Sequence, residues 1–347
     1  MEIPSRAAAP VVVVIPFHNG SSTIERAAKS VLDQTVKPAE FIVVDDGSSE
    51  TEAQRLRAIA DRMGFRVMHQ ENGGQGSARN AGVAATASPF VCFLDQDDFY
   101  LKTHIETLVS EMPENDPHFG WVYGELFEAE GNGDIVRTSI VQHHSKHPKT
   151  NIIDLVRQDM HVLPSASLIS REAFEAVGGF DPQFMGYEDD DLFLRIFRAG
   201  FTNYFTEKPV TVWCIHTEST SYGVRMARSR LRYFKKLVAL FPDDPIKQRF
   251  FVRDLIAPRF IPLIMEDAIS AATGKPGKYA ANRDEYIQIA SDFVDALSGQ
   301  ASIAPGLIRR LRLHVTALRS QRMVGIYKFR PHMQKARLIV APRRRPA

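Results

Sequence analysis

The chain has 347 residues, 44% of them hydrophobic and 24% charged, a mix that suits a globular protein and excludes a disordered one. Its two cysteines, Cys92 and Cys214, each sit in an apolar run, which excludes a disulfide framework; no apolar stretch is long enough to cross a bilayer, so a reducing, cytoplasmic setting is expected. The net charge of +2 hides an asymmetry: residues 225–347 hold 25 of the 43 Lys and Arg but 9 of the 41 Asp and Glu, which makes that part +16 and residues 1–224 −14.

In chain order, the first two hundred residues alternate short apolar runs with amphipathic stretches, the pattern of βαβ units. The run at 11–15 predicts a buried strand. It is cut by Pro16-Phe17-His18-Asn19, too soon for a signal peptide core. A helix that Ser21 or Ser22 could cap then runs to about Gln34. A strand at 41–44, a helix around 51–63, a strand at 66–69, a helix from about Gln75 and a strand at 90–94 follow. Runs this apolar are buried on both faces, as in a parallel sheet covered by helices, and such sheets bind ligands at the carboxyl ends of their strands.

Beyond about residue 118 the pattern changes. Runs at 121–127 and 135–141 flank Gly131-Asn132-Gly133 and predict a hairpin. The loop after it carries His143, His144 and His147 without helical or turn spacing, so a solvated loop is expected rather than a metal site. From Arg225 the reading is helical. Tyr286, Ile289, Ala290, Phe293 and Leu297 make a stripe of helical period that reads as core. A linker is expected at 298–306 and a basic amphipathic helix at 307–324. Its Leu311, Val315 and Leu318 share one face, with Arg309, Arg310, Arg312, Arg319 and Arg322 around it. The tail with Arg343-Arg344-Arg345 reads as disordered.

Four clusters carry candidate chemistry. Asp45-Asp46-Gly47-Ser48 follows the strand at 41–44; its carboxylates could accept from a base N–H and ribose hydroxyls, although the same tetrapeptide is a common turn. Asp95-Gln96-Asp97-Asp98 follows the strand at 90–94, and carboxylates this crowded stay ionised most easily beside a cation such as Mg2+ or Mn2+. Glu188-Asp189-Asp190-Asp191 precedes an apolar run, as a helix N-terminus prefers, yet the lead-in with Gly178-Gly179-Phe180-Asp181 and Gly186 suggests a chain arranged around something. Asn72-Gly73-Gly74-Gln75-Gly76 matches neither a P-loop nor a dinucleotide fingerprint, and its better use is to place Arg79 near a nucleotide.

Taken in order, these pieces resemble the family 2 glycosyltransferases of the GT-A fold over roughly residues 10–223. The likeness includes 12–19, Ser30-Val31-Leu32-Asp33-Gln34-Thr35, 43–48, Gly76-Ser77-Ala78-Arg79-Asn80-Ala81-Gly82, 93–98, 178–181, 188–192 and His216. The resemblance implies an α/β, Rossmann-like GT-A domain at 1–224, with a mostly parallel central sheet flanked by helices; residues 225–347 have no counterpart in it and read, from their own pattern, as an appended helical, basic extension. It implies a nucleotide-sugar donor, a divalent metal and inversion at the anomeric carbon. Asp46 falls on the base-reading carboxylate, Pro16 and Arg79 on the nucleotide lining, and Asp95 and Asp97 on the outer positions of the DXD motif. Asp97 is then the more direct metal ligand. Asp189 falls on the proposed general base, with Glu188 and Gly186 supporting on the acceptor side. His216 sits where some members supply a histidine to metal or pyrophosphate; a histidine in an apolar strand is otherwise structural.

The chain lacks Gln-x-x-Arg-Trp, which disfavours a processive cellulose-synthase-like polymerase. A sugar-phosphate nucleotidyltransferase would carry Gly-x-Gly-Thr-Arg where Pro16-Phe17-His18-Asn19 stands, and an inactive binding or scaffold module would have lost an acidic cluster. The expected acceptor is a saccharide or lipid-linked saccharide. The basic part lacks a nucleic-acid module, so it is expected to dock on the acidic part or to meet an anionic membrane peripherally from the cytoplasmic face.

Overall fold

The computed structural model describes residues 8–215, 223–277, 279 and 281–320; His216 and residues 321–347, with Arg322 and the arginine tail, lie outside the described residues. The chain folds as two compact units, one of Met1–Leu155 with Asp159–Thr217 and one of Val156–Gln158 with Glu218–Ala347.

The first unit is built on one sheet. In its parallel half β1 (Ala9–Phe17) lies between β2 (Pro38–Asp46) and β4 (Phe90–Phe93), with β3 (Arg66–Gln70) outside β2. Residues 11–15 have no exposure, as a central strand requires. The Val14 carbonyl accepts from Leu94 N, beyond the last β1–β4 register pair, Val14 with Phe93. Pro16, two residues on, turns the same edge to that side, so its missing N–H costs no ladder bond.

Helices α1 (Ile24–Leu32), α2 (Glu50–Met63) and α3 (Gln75–Ala84) follow the strands where the periodicity places them. The cap expected from Ser21 or Ser22 is not made: α1 starts after Thr23 with no side-chain cap. Gly82 lets α3 lie hard against the sheet. A Cβ there would come within 2.4 Å of Val14 Cγ1 and 3.1 Å of Val44 Cγ2.

After β5 (Phe99–Tyr100) and α4 (His104–Ser110), β6 (Phe119–Glu130) enters the second half of the sheet. Here β8 (Ser167–Ser170) runs antiparallel to β4, β6 antiparallel to β8, and β9 (Thr202–Ile215) parallel to β6. Two reversals restore the direction. Hence β6 and β9 end at the same edge as β1, β2 and β4. The parallel sheet read from the sequence is thus the half with β3, β2, β1 and β4, and the other half is mixed.

The hairpin forms, with β7 (Ile135–Arg137) antiparallel to β6, but its second arm is shorter than expected. The buried Glu125 carboxylate accepts the amides of Leu126, Ile140, Val141 and Gln142 and pulls the chain out of the strand. The histidine loop that follows is not simply solvated. His147 Nδ1 pairs with Tyr123 Oη at 2.7 Å, and burial, with Lys149 beside it, lowers its pKa to about 4. Lys149 is itself buried and donates to Ser145 Oγ and Lys146 O. Helices α5 (Ile152–Arg157), α6 (Arg171–Ala176) and α7 (Glu188–Arg198) complete this region.

The second unit carries α8 (Val224–Leu240), α9 (Ala257–Ala272), α10 (Arg283–Ser298) and α11 (Pro305–Arg319). Phe234 of α8 meets Phe260 at 5.7 Å and Phe293 at 4.6 Å between ring centroids, and the predicted stripe of α10 is core. The apolar face of α11, with Ile308, Leu311, Val315 and Leu318, is also buried, and α11 packs on α9 and α10. It is therefore a core face and not a free one. Among the described residues no helix is long and apolar enough to cross a membrane.

Candidate active site

The carboxyl ends of β1, β2 and β4 deliver three polar turns to one edge. At the end of β2, Asp45 and Asp46 face β3 in register with His69 and Gln70. Asp45 accepts from Ser48 N and pairs with His69 Nδ1, both at 3.0 Å. Burial alone would raise the Asp45 pKa, but these bonds hold it below the ordinary value. Asp46 accepts from Gln70 Nε2 at 2.7 Å and from the amides of Gly73 and Gly74 at 2.8 Å. Its carboxylate therefore fastens the glycine turn as well as standing at the crevice. His18 joins the first turn to the second and third: its Nδ1 lies 3.0 Å from Asp46 O, and its amide donates to Gln96 Oε1 at 2.9 Å.

The glycine turn starts α3, which carries Arg79. This guanidinium is only 2% exposed, sits 5.0 Å above the Phe180 ring, and bonds Asp95 Oδ1 through Nη2 at 2.5 Å. Its Nη1 lies 3.6 Å from Glu188 Oε1. Burial pulls its pKa down, yet Asp95, Glu188 and Asp189 together raise it, so it is charged at every accessible pH. Gln75 Nε2 also donates to Asp95, at 2.8 Å. Arg79 thus brings together acidic clusters that are far apart in sequence.

The second of those clusters opens α7. Gly186 and Tyr187 have positive φ and turn the chain into the helix, and the Gly186 amide donates to Glu188 Oε2 at 2.6 Å. Asp189 accepts the Asp190 amide through Oδ1 at 2.8 Å; among the described residues Oδ2 accepts no hydrogen bond. Burial first, then the charges of Asp190 and Glu188, raise its pKa well above the ordinary carboxylate value. Asp190 and Asp191 do more than suit a helix N-terminus. Both are buried: Asp190 accepts from Met160 N at 2.9 Å, and Asp191 pairs with Arg195 Nε at 2.8 Å. Arg195 in turn donates to Val177 O and Gly179 O, and Asn80 clasps Phe180 through both its N–H and its C=O, so the 178–181 turn is fixed from two sides.

Asp95, Asp97 and Asp98 share one turn. Burial, with repulsion from Asp95 and Asp97, raises the pKa of Asp98, whose Oδ1 accepts from Cys214 N at 2.9 Å. Hard divalent cations take oxygen donors and need only one or two protein carboxylates beside phosphate oxygens and water. Asp97 and Asp95 are such a set, and among the described residues the buried Arg79 Nε and Nη1 have no hydrogen-bond partner. The residues therefore fit a metal with a phosphate-bearing ligand. Among the described residues no group of three or more His, Cys, Asp or Glu side chains could hold an ion alone. Strand β9 ends at Ile215, one residue before His216.

Of the predicted residues, Arg79, Asp95, Glu188 and Asp189 are brought together, and Asp46 and Pro16 stand at the neighbouring strand ends. His18, Gln70, Gln75, Gln96 and Arg195 were missed. A parallel β2–β3 register would have placed Gln70 opposite Asp46, but the others carry no local signal.

The family described as Glycosyl transferase family 2 matches residues 12–178, and N-terminal domain of galactosyltransferase matches 164–218. An uncharacterized glycosyltransferase of Rickettsia conorii is 31% identical over 61% of this chain and 35% of its own length. One of Rickettsia bellii is 29% identical over 61% of this chain and 30% of its own. The chain thus spans about a third of the length of these two curated relatives. Among solved structures, S. aureus TarS 1-349 in complex with UDP-GlcNAc shares the fold at a TM-score of 0.62 and 15% identity, over 92% of this chain and 91% of that one. Mannosyltransferase PcManGT from Pyrobaculum calidifontis, in complex with GDP-Man and Mn2+, does so at 0.53 and 15%, over 95% and 90%.

Proposed function

The chain belongs to the family 2 glycosyltransferases, and on that premise we propose that it moves a sugar from a nucleotide donor to a hydroxyl acceptor with inversion. A UDP-sugar is the first donor to try, and the proposed acceptor is a saccharide or lipid-linked saccharide of an envelope polysaccharide or glycolipid. The observation that carries the reading is Arg79, buried between Asp95 and Glu188 at the carboxyl edge of the sheet. It joins the turn suited to a diphosphate and cation to the helix start that bears Asp189. The neighbours solved with UDP-GlcNAc and with GDP-Man and Mn2+ support a nucleotide-sugar donor.

In this proposal the nucleotide lies along Pro16, Asp46 and Arg79. A divalent metal held by Asp97 and Asp95, with His216 as a further ligand, would neutralise charge on the departing diphosphate. Asp189 accepts the proton of the acceptor hydroxyl, which attacks the anomeric carbon opposite the leaving group. A single displacement inverts that centre. The proposed setting is the cytoplasm, with the basic part of the chain peripheral to the membrane.

A screen of nucleotide-sugars for Mn2+- or Mg2+-dependent hydrolysis, then of acceptors, tests the reading. Asp97→Asn removes a ligand's charge at nearly constant volume and is expected to abolish transfer while the fold melts as wild type. Full activity in that variant would sink the metal assignment.

A further inference from the structure

Arg26, on α1, contributes nothing to the chemistry above, yet its guanidinium reaches three separate parts of the first unit. Nη2 donates to the Asp97 carbonyl at 2.6 Å and to Cys214 Sγ at 3.3 Å. Nη1 donates to Gly131 O at 3.0 Å, in the turn between β6 and β7, and the guanidinium lies 5.0 Å from the Phe99 ring centroid. From the other side Asp98 Oδ1 accepts the Cys214 amide at 2.9 Å. The acidic turn is thus held at the Asp97 main-chain carbonyl by Arg26 and at the Asp98 carboxylate by the Cys214 amide, and Arg26 also reaches Cys214 of β9.

We propose that Arg26 is a positioning residue that fixes the backbone of Asp97, and so the direction in which its carboxylate meets the metal–diphosphate group. The inference rests on the glycosyltransferase reading. A carboxylate on a free turn would have to be ordered each time the ligand enters, at the cost of binding. Here a charge-assisted bond to the Asp97 carbonyl does this beforehand. Two features separate the role from general packing. Arg26 bonds the carbonyl of the candidate ligand itself, and among the described residues none of its side-chain hydrogen bonds reaches the turn of Asp45 and Asp46. Arginine also suits the task, since the two arms of its planar fork serve Asp97 and Gly131 separately, whereas a lysine offers a single point charge.

The test measures Mn2+ uptake in the presence of UDP by the loss of free-ion EPR signal, and UDP binding without metal by calorimetry, for wild type, Arg26→Lys and Arg26→Met. The expected result is that Arg26→Met weakens Mn2+ uptake about tenfold, the loss of one hydrogen bond to a charged group. Arg26→Lys should fall between it and wild type, and metal-free UDP affinity should stay within about twofold. If Arg26→Met does not fold, Arg26→Lys alone decides. Wild-type Mn2+ affinity in the variants, or equal losses with and without metal, overturns the positioning role. A wild-type protein that takes up no Mn2+ with UDP overturns the metal assignment of the proposed function and this inference with it.

Discussion

Replacing Asp189 by Asn separates chemistry from stability in a way the geometry defines. The side chain keeps its volume, and its oxygen can still accept the Asp190 amide that Asp189 Oδ1 accepts at 2.8 Å. What is lost is the proposed proton acceptor, worth about 10²–10⁴ in rate, or roughly 3–5 kcal/mol of barrier. Stability should move the other way. Burial and the charges of Asp190 and Glu188 raise the Asp189 pKa, so the folded state binds this proton more tightly than the unfolded state. Its contribution to stability is then present below the unfolded pKa and is lost as pH rises through the raised folded value. Asparagine cannot titrate, so the variant is expected to be at least as stable as wild type at neutral pH and slower by about 100-fold or more. The acid limb of kcat/KM for wild type should lie above the ordinary carboxylate range, and Glu188→Gln should move it down. Transfer assays across pH, donor calorimetry and NMR of the product's anomeric centre make the measurement. An Asp189→Asn enzyme as fast as wild type, or a product with retained configuration, refutes the assignment of the base.

Asp46→Ala should weaken binding of the nucleoside diphosphate more than it lowers kcat, and it should also cost stability. The amides of Gly73 and Gly74 lose their acceptor, at about 1–3 kcal/mol for each group left unsatisfied; unchanged calorimetric affinity would move Asp46 out of the nucleotide site. Asp191→Ala strands Arg195, and denaturant titration should show a loss of about 3 kcal/mol, the lower bound for breaking a buried pair, because Arg195 keeps two carbonyl acceptors. Unchanged stability there would mean that the 178–181 turn does not need this pair. For anionic vesicles, α11 offers exposed Arg309, Arg310, Arg312 and Arg319 but no free apolar face, so binding should be weak and abolished by salt. Co-sedimentation that survives high salt would mean that insertion comes from elsewhere in the chain.

Much of the first unit was legible in the sequence because its strands are buried on both faces and end abruptly in polar turns. The runs at 11–15, 41–44 and 90–94 could be little else, and Asp45, Asp46 and Asp95 follow them directly. What the sequence withheld depends on long-range partners. Nothing in Glu125 says that four amides will converge on it and end the second arm of the hairpin early. Asp190 and Asp191 look like helix-start acids, since a first turn welcomes negative charge whether it is solvated or buried. Their burial is decided by Met160 and Arg195, a contact thirty residues away and one a helical turn away. The α11 stripe was legible as amphipathic, but periodicity cannot say whether the apolar face meets protein or lipid.

The electrostatics of the crevice explain why Arg79 is buried at all. Taking a guanidinium out of water costs several kcal/mol unless the surrounding groups restore that energy. Here Asp95 bonds it directly, Glu188 stands 3.6 Å away, and Asp189 adds to the field. Without Arg79 these carboxylates would face one another in a partly desolvated space, and the chain would have to separate them or protonate them. The arginine therefore holds the acidic turn and the start of α7 together before any ligand arrives. Its fixed position also has a consequence for binding. In the proposed function a diphosphate entering beside Asp95 meets a cation already in place, whose Nε and Nη1 make no hydrogen bond among the described residues. Lysine could supply the charge at that point but not the remaining donors, so Arg79→Lys is expected to leave the fold intact and still weaken diphosphate binding.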